Sequence, residues 1–560
     1  MHMTSSSRPE GTESVSRHRI TRTQRDIAFT DLSDSDQTVA KGLLGKGYDR
    51  RELLSYFAGL GISSLAAVPL VGAAGKAFAE TPKAGGRLIV AHSAHGPSDT
   101  LDPIRNTSTI DYLRGRMIYG SLVRLNDKLQ PMPELATSFE ANKGATEWTF
   151  QLRKDVEFHD GTPFTADDVI FSMNRHLGSD TRSISKTLVD SIMEWKKVDQ
   201  HTVKAILGSP NVDLPTILGT FHFKIIQNGE TNFLAPNGTG PFKLSFFEPG
   251  VRSIMSAFDN YWGEGPYVEE IEYTAIPDEL QRITALTTGK VDIIGDLPTK
   301  SIRQVEAAAG LEIWSVESGS YYNIMARRDM APGSNTDLVL AMKYLFDREK
   351  LPDRILGGNG GPGNDQPIGP AYADHCAEFP LRPFDPDQAR FHLKRAGMAG
   401  VQIEIKAAEV GPGIVDMCLL LQREARKIGL NVEVQKVGTE GYWSSVWLKA
   451  PICVAAWNMR PTANAMLSIA YHSQSEWNES RWKSKHFDQL LVASRGETEQ
   501  KSRWQMYCDM QEMVYSNAGT IIPVHRAFVG AHKSSVKGLT NSPLAPLGGC
   551  EWPEYAWIDS

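Results

Sequence analysis

The segment from Ala456 to Trp482 has the residue types of a small-molecule binding site, with three tryptophans, Tyr471 and Arg460. Aromatic side chains provide walls for apolar contact, and a few placed polar groups fix a ligand's orientation. Arg460 is predicted to bind an acid group, because a planar guanidinium can donate two parallel hydrogen bonds to a carboxylate. The alternative is a surface or structural arginine paired inside the protein.

The aromatic residues of this segment have two interpretations each. Trp457 either stacks on a ligand or packs in the core. Tyr471 and Trp477 are further candidates for ligand contact, with the same structural alternative. Sequence spacing does not separate the two roles.

Catalytic and metal-binding patterns are not evident. The chain has no G-x-S-x-G, H-E-x-x-H or G-x-x-x-x-G-K-[ST] motif, which disfavours a hydrolase or nucleotide-dependent enzyme. The sequence from Gly358 to Gly363 formally matches G-x-G-x-x-G, but Pro362 lies inside it and no helix is predicted after it. His92, His95 and His525 could converge on a metal or haem, although scattered histidines are more often structural. No catalytic residue, metal site or cofactor is therefore predicted.

The clearest predicted secondary-structure elements, which could position a site, lie between Glu147 and His176. Alternation of apolar and polar residues from Trp148 to Phe158 predicts half-buried strands. Asp160-Gly161 is a turn signal, and Thr165 is predicted to cap a helix with two aspartates in its first turn. The pattern predicts strand, turn, strand, turn and helix.

Two further patterns indicate an α/β protein. Residues Gln281–Ile294 predict a helix followed by a strand, and Val401–Val434 predict strand, helix and strand. A strand–helix–strand unit with short links implies a parallel pair joined by a right-handed crossover. Ser318–Arg328 lies between these units and is interpreted as a crossing between two lobes, with the return crossing near Ile521–His525.

The residues of one motif resemble those of a known protein family. V-x-F-H-D-G-x-P-F-T-A-x-D-V at Val156–Val169 resembles the extracytoplasmic solute-binding proteins of peptide-type ABC importers, the family 5 group of dipeptide-, oligopeptide- and nickel-binding proteins. T-L-D-P at Thr100–Pro103, G-T-G-P-F at Gly238–Phe242 and G-K-V-D at Gly289–Asp292 match in the same order. The resemblance covers Gly85 to Ser560.

The resemblance implies a two-lobed α/β periplasmic-binding-protein fold. This fold is class II-like, with an extra subdomain in the first lobe and two crossing strands as the hinge. The expected boundaries are residues 80–320 for lobe I with its subdomain and 321–524 for lobe II. Residues 525–560 are expected to return to lobe I.

The resemblance also implies further ligand contacts. Tyr322 and Asn323 at the hinge are expected to face the cleft, and His95 and Ser98 lie in a loop that borders it in the family. Family members often carry an aspartate that meets a ligand's amino group, and Asn464 stands at the corresponding place. A neutral residue at this position favours ligands whose nitrogen is blocked, substituted or differently placed.

Residues 1–79 are interpreted as a disordered leader followed by a twin-arginine export signal. Arg50-Arg51 precedes a weakly hydrophobic stretch, and Ala77-Phe78-Ala79 forms an A-x-A cleavage site. The alternative is an uncleaved membrane anchor. The mature protein is expected in the periplasm.

Composition and cysteine content set wider limits. The net charge of −7 argues against nucleic-acid binding, and 22% charged with 41% hydrophobic residues is ordinary for a soluble globular protein. Among the five cysteines, Cys418 and Cys508 are predicted to be core residues. A disulfide between Cys376 and Cys550 is permitted by export but is not indicated by spacing.

Together these features predict a monomeric, non-catalytic binding protein. It is expected to capture a small peptide or peptide-like solute and to deliver it to ABC permease subunits in the membrane. The alternative is a non-peptide solute, such as an opine, an amino-acid conjugate, or a metal or haem complex.

Overall fold

The computed structural model describes residues 81–93, Gly96 and residues 99–559. The predicted leader and export signal at residues 1–79 lie outside the described residues, as do His95 and Ser98. Among the helices described, none has the length and apolar character needed to cross a membrane.

Strands and helices are interspersed along the chain. The strands are β1 Arg87–His92, β2 Val123–Leu125, β3 Pro131–Pro133, β4 Ala136–Ala141, β5 Glu147–Leu152, β6 Ile192–Asp199, β7 Thr202–Leu207, β8 Phe242–Glu248, β9 Arg252–Ala257, β10 Glu270–Ala275, β11 Ile293–Ile294, β12 Leu311–Ala326, β13 Gly360–Pro362, β14 Gln402–Ala407, β15 Asn431–Lys436, β16 Ile452–Trp457, β17 Thr520–Lys533, β18 Val536–Lys537 and β19 Trp557–Ile558. The α-helices are α1 Thr109–Ile118, α2 Ala166–Asn174, α3 Leu214–Leu218, α4 Glu279–Thr287, α5 Ile302–Glu306, α6 Thr336–Lys343, α7 Leu351–Leu356, α8 Pro386–Ala396, α9 Ile414–Lys427, α10 Tyr442–Ser445, α11 Ala463–Tyr471, α12 Lys485–Ser494 and α13 Gln500–Asn517.

One large sheet organises the molecule. Its strand order is β15-β14-β16-β12-β17-β11-β1-β10-β9-β8, with β13 paired to β17. Strands from the first half of the chain lie on one side of the β12–β17 pair, and β14, β15 and β16 lie on the other. The protein therefore has two α/β lobes that share one sheet through two long strands.

The strands β12 and β17, called the hinge strands below, confirm the predicted crossings. In the region beside β11, Leu311 of β12 pairs with Lys533 of β17. In the region beside β16, Tyr322 of β12 pairs with Val524 of β17. The register shifts between Glu317 and Tyr321. At this shift only glycine fits position 319, because a Cβ there would lie 2.4 Å from the Tyr372 ring. The register shifts again between Tyr322 and Ile324, so both irregularities of the pairing lie where the hinge strands pass between the lobes.

A separate four-stranded sheet, in the order β4-β5-β7-β6, contains the predicted strand at Trp148–Leu152. The helix predicted after Thr165 is α2, and the Thr165 N–H donates to the Asp168 carboxylate at 2.7 Å. The second strand predicted at Val156–Phe158 is wrong. The chain reverses after Phe158 and forms a single bridge between Glu157 and Pro163, where proline offers no N–H for a ladder.

The strand–helix–strand prediction at Val401–Val434 is confirmed. The strands β14 and β15 are parallel, and α9 connects them. Gly429 follows the helix with φ of 85°. This positive φ lets the chain turn sharply into β15 without the steric cost that a Cβ would bring.

The C-terminal segment packs on the N-terminal half of the protein. Trp552 is fully buried in the core that contains Leu88 and Phe242. The Arg116 guanidinium pairs with the carboxylate of Glu551 at 3.0 Å. A buried arginine requires such partners, because an unpaired charge in the interior is costly.

The cysteine predictions need a correction. A disulfide joins Cys376 to Cys508, so Cys508 is not a free core thiol and Cys376 does not pair with Cys550. The loop that holds Cys376 is packed on α13, where the Cys376 N–H donates to Gln511 Oε1 at 3.0 Å. This packing brings the two Cα atoms to 5.2 Å, within the range that a disulfide spans. Cys418, as predicted, is buried and free, and so is Cys550.

Candidate ligand-binding cleft

The candidate cleft lies at the end of β16. This strand is buried beside β12, with Trp457 opposite Tyr321. The chain then leaves the sheet in the loop Asn458–Thr462. The Thr462 hydroxyl accepts the Ala465 N–H at 3.1 Å and caps α11. The loop is thereby fixed at the hinge end of the sheet.

Two adjoining cavities run along this loop, with volumes of about 600 and 610 Å³. Both are lined by Asp213 and Thr462. One wall comes from residues between 129 and 217, and the other from residues between 372 and 504. Volumes of this size suit a small solute. The cavities therefore form a cleft between the two halves of the chain.

Arg460 lines the second cavity and is half-buried. Its Nη1 donates to the Asn458 carbonyl at 3.0 Å, and its guanidinium carbon lies 5.9 Å from the centre of the Trp457 ring. Among the described residues, no carboxylate lies within 4.0 Å of the guanidinium. The ion pair considered as the alternative role is thus not formed in this part of the chain, and the charge faces the cavity.

Asn464 also lines the second cavity, but its amide is already engaged. The nitrogen donates to the Leu491 carbonyl at 3.0 Å and to Ser494 Oγ at 3.1 Å. The oxygen accepts from Arg495 Nε at 3.0 Å and from Ser468 Oγ at 3.1 Å. These bonds tie α11 to α12. A ligand ammonium at Asn464 would have to displace one of them.

Trp457 and Asn323 meet at a buried carboxylate that sequence reasoning missed. Glu479 Oε1 accepts from Trp457 Nε1 at 3.1 Å and from the Asn323 amide at 2.5 Å. Its Oε2 accepts from Trp447 Nε1 at 2.6 Å. Burial raises the pKa of Glu479, opposed by these hydrogen bonds. The N–H groups of Trp457 and Asn323 therefore serve this network, whereas Asn323 Oδ1 is buried and has no hydrogen-bond partner among the described residues.

Tyr471 and Trp477 have contrasting surroundings. Tyr471 is 3% exposed and packs edge-on against Phe487, and burial raises the pKa of its hydroxyl. Trp477 is 44% exposed and contacts the rings of Trp447 and Trp457 edge-on, at 5.5 and 6.0 Å between ring centres. Of the two, only Trp477 presents a large ring to solvent.

Tyr322 lies under a second arginine that sequence reasoning missed. The Arg526 guanidinium lies 4.9 Å from the centre of the Tyr322 ring, and its Nη2 donates to Asn458 Oδ1 at 3.2 Å. Arg526 directly follows the predicted return crossing at Ile521–His525. Its place directly after the predicted crossing is the sequence feature that could have identified it as a cleft residue.

The histidines considered for metal binding have other contacts. His92 lies 3.3 Å from Asp296, and His525 packs edge-on against Tyr321. Within the described part of the chain, no group of three or more His, Cys, Asp or Glu side chains is arranged to hold a metal ion.

Two α/β lobes that share two long strands, with a solute-sized cleft beside the loop that follows β16, are typical of proteins that close on a small solute. Residues 130–478, more than half of the chain, match the family model described as bacterial extracellular solute-binding proteins, family 5 Middle. The protein belongs to this family. The expected family and its two-lobed fold are thus confirmed.

The comparisons with individual proteins agree with this assignment. The chain is 23% identical over 502 residues to the dipeptide-binding protein of Escherichia coli K12, covering 81% of this chain and 92% of that protein. It superposes on HbpA2 of Haemophilus parasuis with a TM-score of 0.76 at 21% identity, covering 84% of this chain and 100% of that one. It superposes on AgaA from A. tumefacien R10, in complex with agropinic acid, with a TM-score of 0.66 at 24% identity, covering 85% and 99%. The structural matches support the fold.

Proposed function

We propose that this protein is the substrate-binding component of an ABC importer and takes up a small peptide or peptide-like solute. The observation that supports this proposal is Arg460, a cationic side chain that lines a cleft of suitable size and has no carboxylate partner among the described residues. A guanidinium in that setting suits a ligand carboxylate. The similarity to a dipeptide-binding protein supports the peptide class. The protein acts by binding and release, without catalysing a reaction.

A non-peptide solute of the same general size is the second candidate. The engaged amide of Asn464 favours it, because a free ligand ammonium finds no open anchor at that position. An opine or an amino-acid conjugate would present acid groups without requiring such an anchor. The structural relative in complex with agropinic acid supports this alternative.

The proposed division of the mature chain follows the hinge strands. Lobe I with its subdomain comprises residues 80–320 and 525–560, and lobe II comprises residues 321–524. Strand β11 joins β17 on one side and β16 joins β12 on the other, which supports this division. The proposed mode of action is closure of the lobes on the solute, as a monomer, followed by delivery to the permease subunits.

Ligand binding is tested by thermal unfolding of the mature protein with di- and tripeptides, opines, haem and nickel ions. A solute that binds only the folded state stabilises it by about 2.7 kcal/mol at 100 times its Kd. A higher Tm with peptides supports the peptide class, and a higher Tm only with opines supports the second candidate. If no compound changes the Tm, the proposed solute classes are contradicted.

Export by the twin-arginine route to the periplasm is proposed from the motif at Arg50-Arg51. The double substitution R50K/R51K is expected to keep the protein in the cytoplasm with its leader uncleaved. Fractionation and intact-mass measurement check both outcomes. The K46R variant, which keeps a positive charge just before the motif, is the matched control and should be exported. Normal export of R50K/R51K would contradict the route.

A further inference from the structure

Two arginines from different segments converge on one residue at the hinge. Asn458, which is exposed, binds Arg460 through its backbone carbonyl at 3.0 Å and Arg526 through its side-chain oxygen at 3.2 Å. Arg460 belongs to the loop after β16, whereas Arg526 belongs to the hinge strand β17. The two guanidiniums therefore contact the same residue, one through its backbone and the other through its side chain.

These two charges have no internal counterion in the part of the chain that the structure describes. No carboxylate there lies within 4.0 Å of either guanidinium. The Nε of Arg526 is buried and, among the same residues, has no hydrogen-bond partner, while the Tyr322 ring covers one face of its guanidinium. A partly desolvated guanidinium without a counterion is costly, so an anion at this place would be stabilised.

Two acidic side chains, those of Asp190 and Asp213, line the neighbouring cavity, and neither lies within 4.0 Å of the Arg460 guanidinium. Asp190 pairs with Lys186 at 2.6 Å. Asp213 lies near Thr462 and in the field of Arg503 and Arg495. Arg495 itself lines the same cavity as Arg460 and binds Asn464. Arg460 therefore shares this cavity with Asp190, Asp213 and Arg495 and forms an ion pair with neither carboxylate.

We propose that Arg460 and Arg526 together bind an acid group of the ligand, so that the protein selects small anionic solutes. This assignment rests on the proposed function. It restricts the class of ligands to those with at least one free carboxylate. Two guanidiniums can each donate paired hydrogen bonds to carboxylate oxygens. Because Arg526 lies on a hinge strand, the acid group would also connect the solute to the element that links the lobes.

The test compares solute retention by matched variants. Wild-type protein, R460Q, R526Q, R526K and R303Q are dialysed against peptone, which supplies peptides and small acids, and the retained solutes are released and identified by mass spectrometry. Arg303 is exposed on α5, so R303Q makes the same chemical change away from the cleft. The melting temperature of each unliganded variant establishes that it is folded, and R526K retains the charge if R526Q fails to fold.

We expect the wild type and R303Q to retain an anionic solute. In R460Q and R526Q the occupancy should be lower, corresponding to binding about 10- to 100-fold weaker than that of the wild type. R526K should bind with intermediate affinity, because lysine keeps the charge but lacks the fork. Amidation of the released solute should abolish rebinding. An acid at the end of a peptide and an acid on a non-peptide compound are distinguished by the identified structure, and either supports the assignment.

Two other results separate the failure of this assignment from the failure of the proposed function. A retained solute without an acid group, or one held equally by R526Q and wild type, would overturn the arginine assignment and leave the binding function intact. A wild-type protein that retains no solute of any charge from peptone would contradict the proposed function, and the assignment with it.

Discussion

Arg460 and Asn464 stand four positions apart in the sequence but have different surroundings in the fold. Arg460 follows the end of β16 and lines a cavity. Asn464 lies in the first turn of α11, and both atoms of its amide are hydrogen-bonded to residues of α11, α12 and the position just after α12. Residue type indicated that both could bind a ligand. Which of them has free hydrogen-bonding capacity depends on α12, some twenty residues later in the chain, so the sequence pattern could not tell them apart.

The network at Glu479 shows the same limit of residue-level prediction. Trp457, Asn323 and Trp447 were visible as aromatic or polar residues, but their convergence on one carboxylate requires three distant segments to meet. A buried carboxylate needs such donors, because an unsatisfied charge inside a protein is costly. The tertiary fold, and not local spacing, brings the N–H groups of these side chains to Glu479.

His525 gives a prediction at the residue scale. Burial lowers its pKa to about 4, with a further lowering from the nearby His375. Because the folded pKa lies below the unfolded value of about 6.5, His525 is neutral in the folded protein and its contribution to stability is complete above pH 6.5. The contribution is lost between pH 6.5 and 4, at up to about 1.4 kcal/mol per pH unit.

The measurement is the free energy of unfolding from pH 7 to pH 4 for H525Q and the wild type. H525Q should lose less stability over this range, because glutamine takes up no proton. The exposed H486Q is the matched control and should follow the wild type. Parallel curves for H525Q and the wild type would contradict the buried, neutral state of His525.

Element-scale prediction succeeded where periodicity and turn chemistry act locally. The strand β5, the cap at Thr165 and the β14–α9–β15 unit follow from alternation, capping and glycine positions. It failed at Val156–Phe158, where both apolar residues are buried but the chain turns too soon for a strand. It also failed for the disulfide, because pairing depends on how the loop around Cys376 packs on α13.

The disulfide supports one wall of the cleft and gives a prediction at the element scale. Cys376 lies two residues after Asp374, which lines the first cavity, and the bridge closes a chain segment with a sequence separation of 132. Loss of the bridge in C376S/C508S should lower the free energy of unfolding by about 3 to 5 kcal/mol, because the unfolded chain gains freedom.

The check is thermal unfolding with and without dithiothreitol. Reductant should lower the Tm of the wild type but leave the Tm of C376S/C508S unchanged. C418A is the control for a buried thiol that forms no bridge, and it should keep the sensitivity to reductant. A wild-type Tm that does not respond to reductant, with the bridge shown to be reduced, would contradict this contribution.

At the scale of the whole molecule, the hinge strands would allow the proposed closure of the lobes without loss of their shared sheet. Both crossings were predicted from the order of the α/β units along the chain, and both are strands. The register shift between Glu317 and Tyr321 interrupts regular pairing between the lobes. A local irregularity of this kind provides a place where backbone angles can change while the pairing on either side is kept.

Closure is a prediction at this scale. Small-angle X-ray scattering of the mature protein should show a radius of gyration that decreases on the order of 1 Å when a stabilising solute is added. The ligand must bind the closed state more tightly than the open one for this change to occur. Under the same conditions, R460Q should show little decrease. An unchanged radius in wild-type protein with bound solute would contradict lobe closure.

Native mass spectrometry of the mature protein, purified without unfolding from cells grown on peptone, shows directly whether the cleft holds a solute. We expect a complex of one protein chain with one small solute, which denaturation releases and whose mass identifies an acid-bearing peptide or peptide-like compound. A chain that carries no solute, and that acquires none when peptone is added back, would contradict the assignment of this cleft as a solute-binding site.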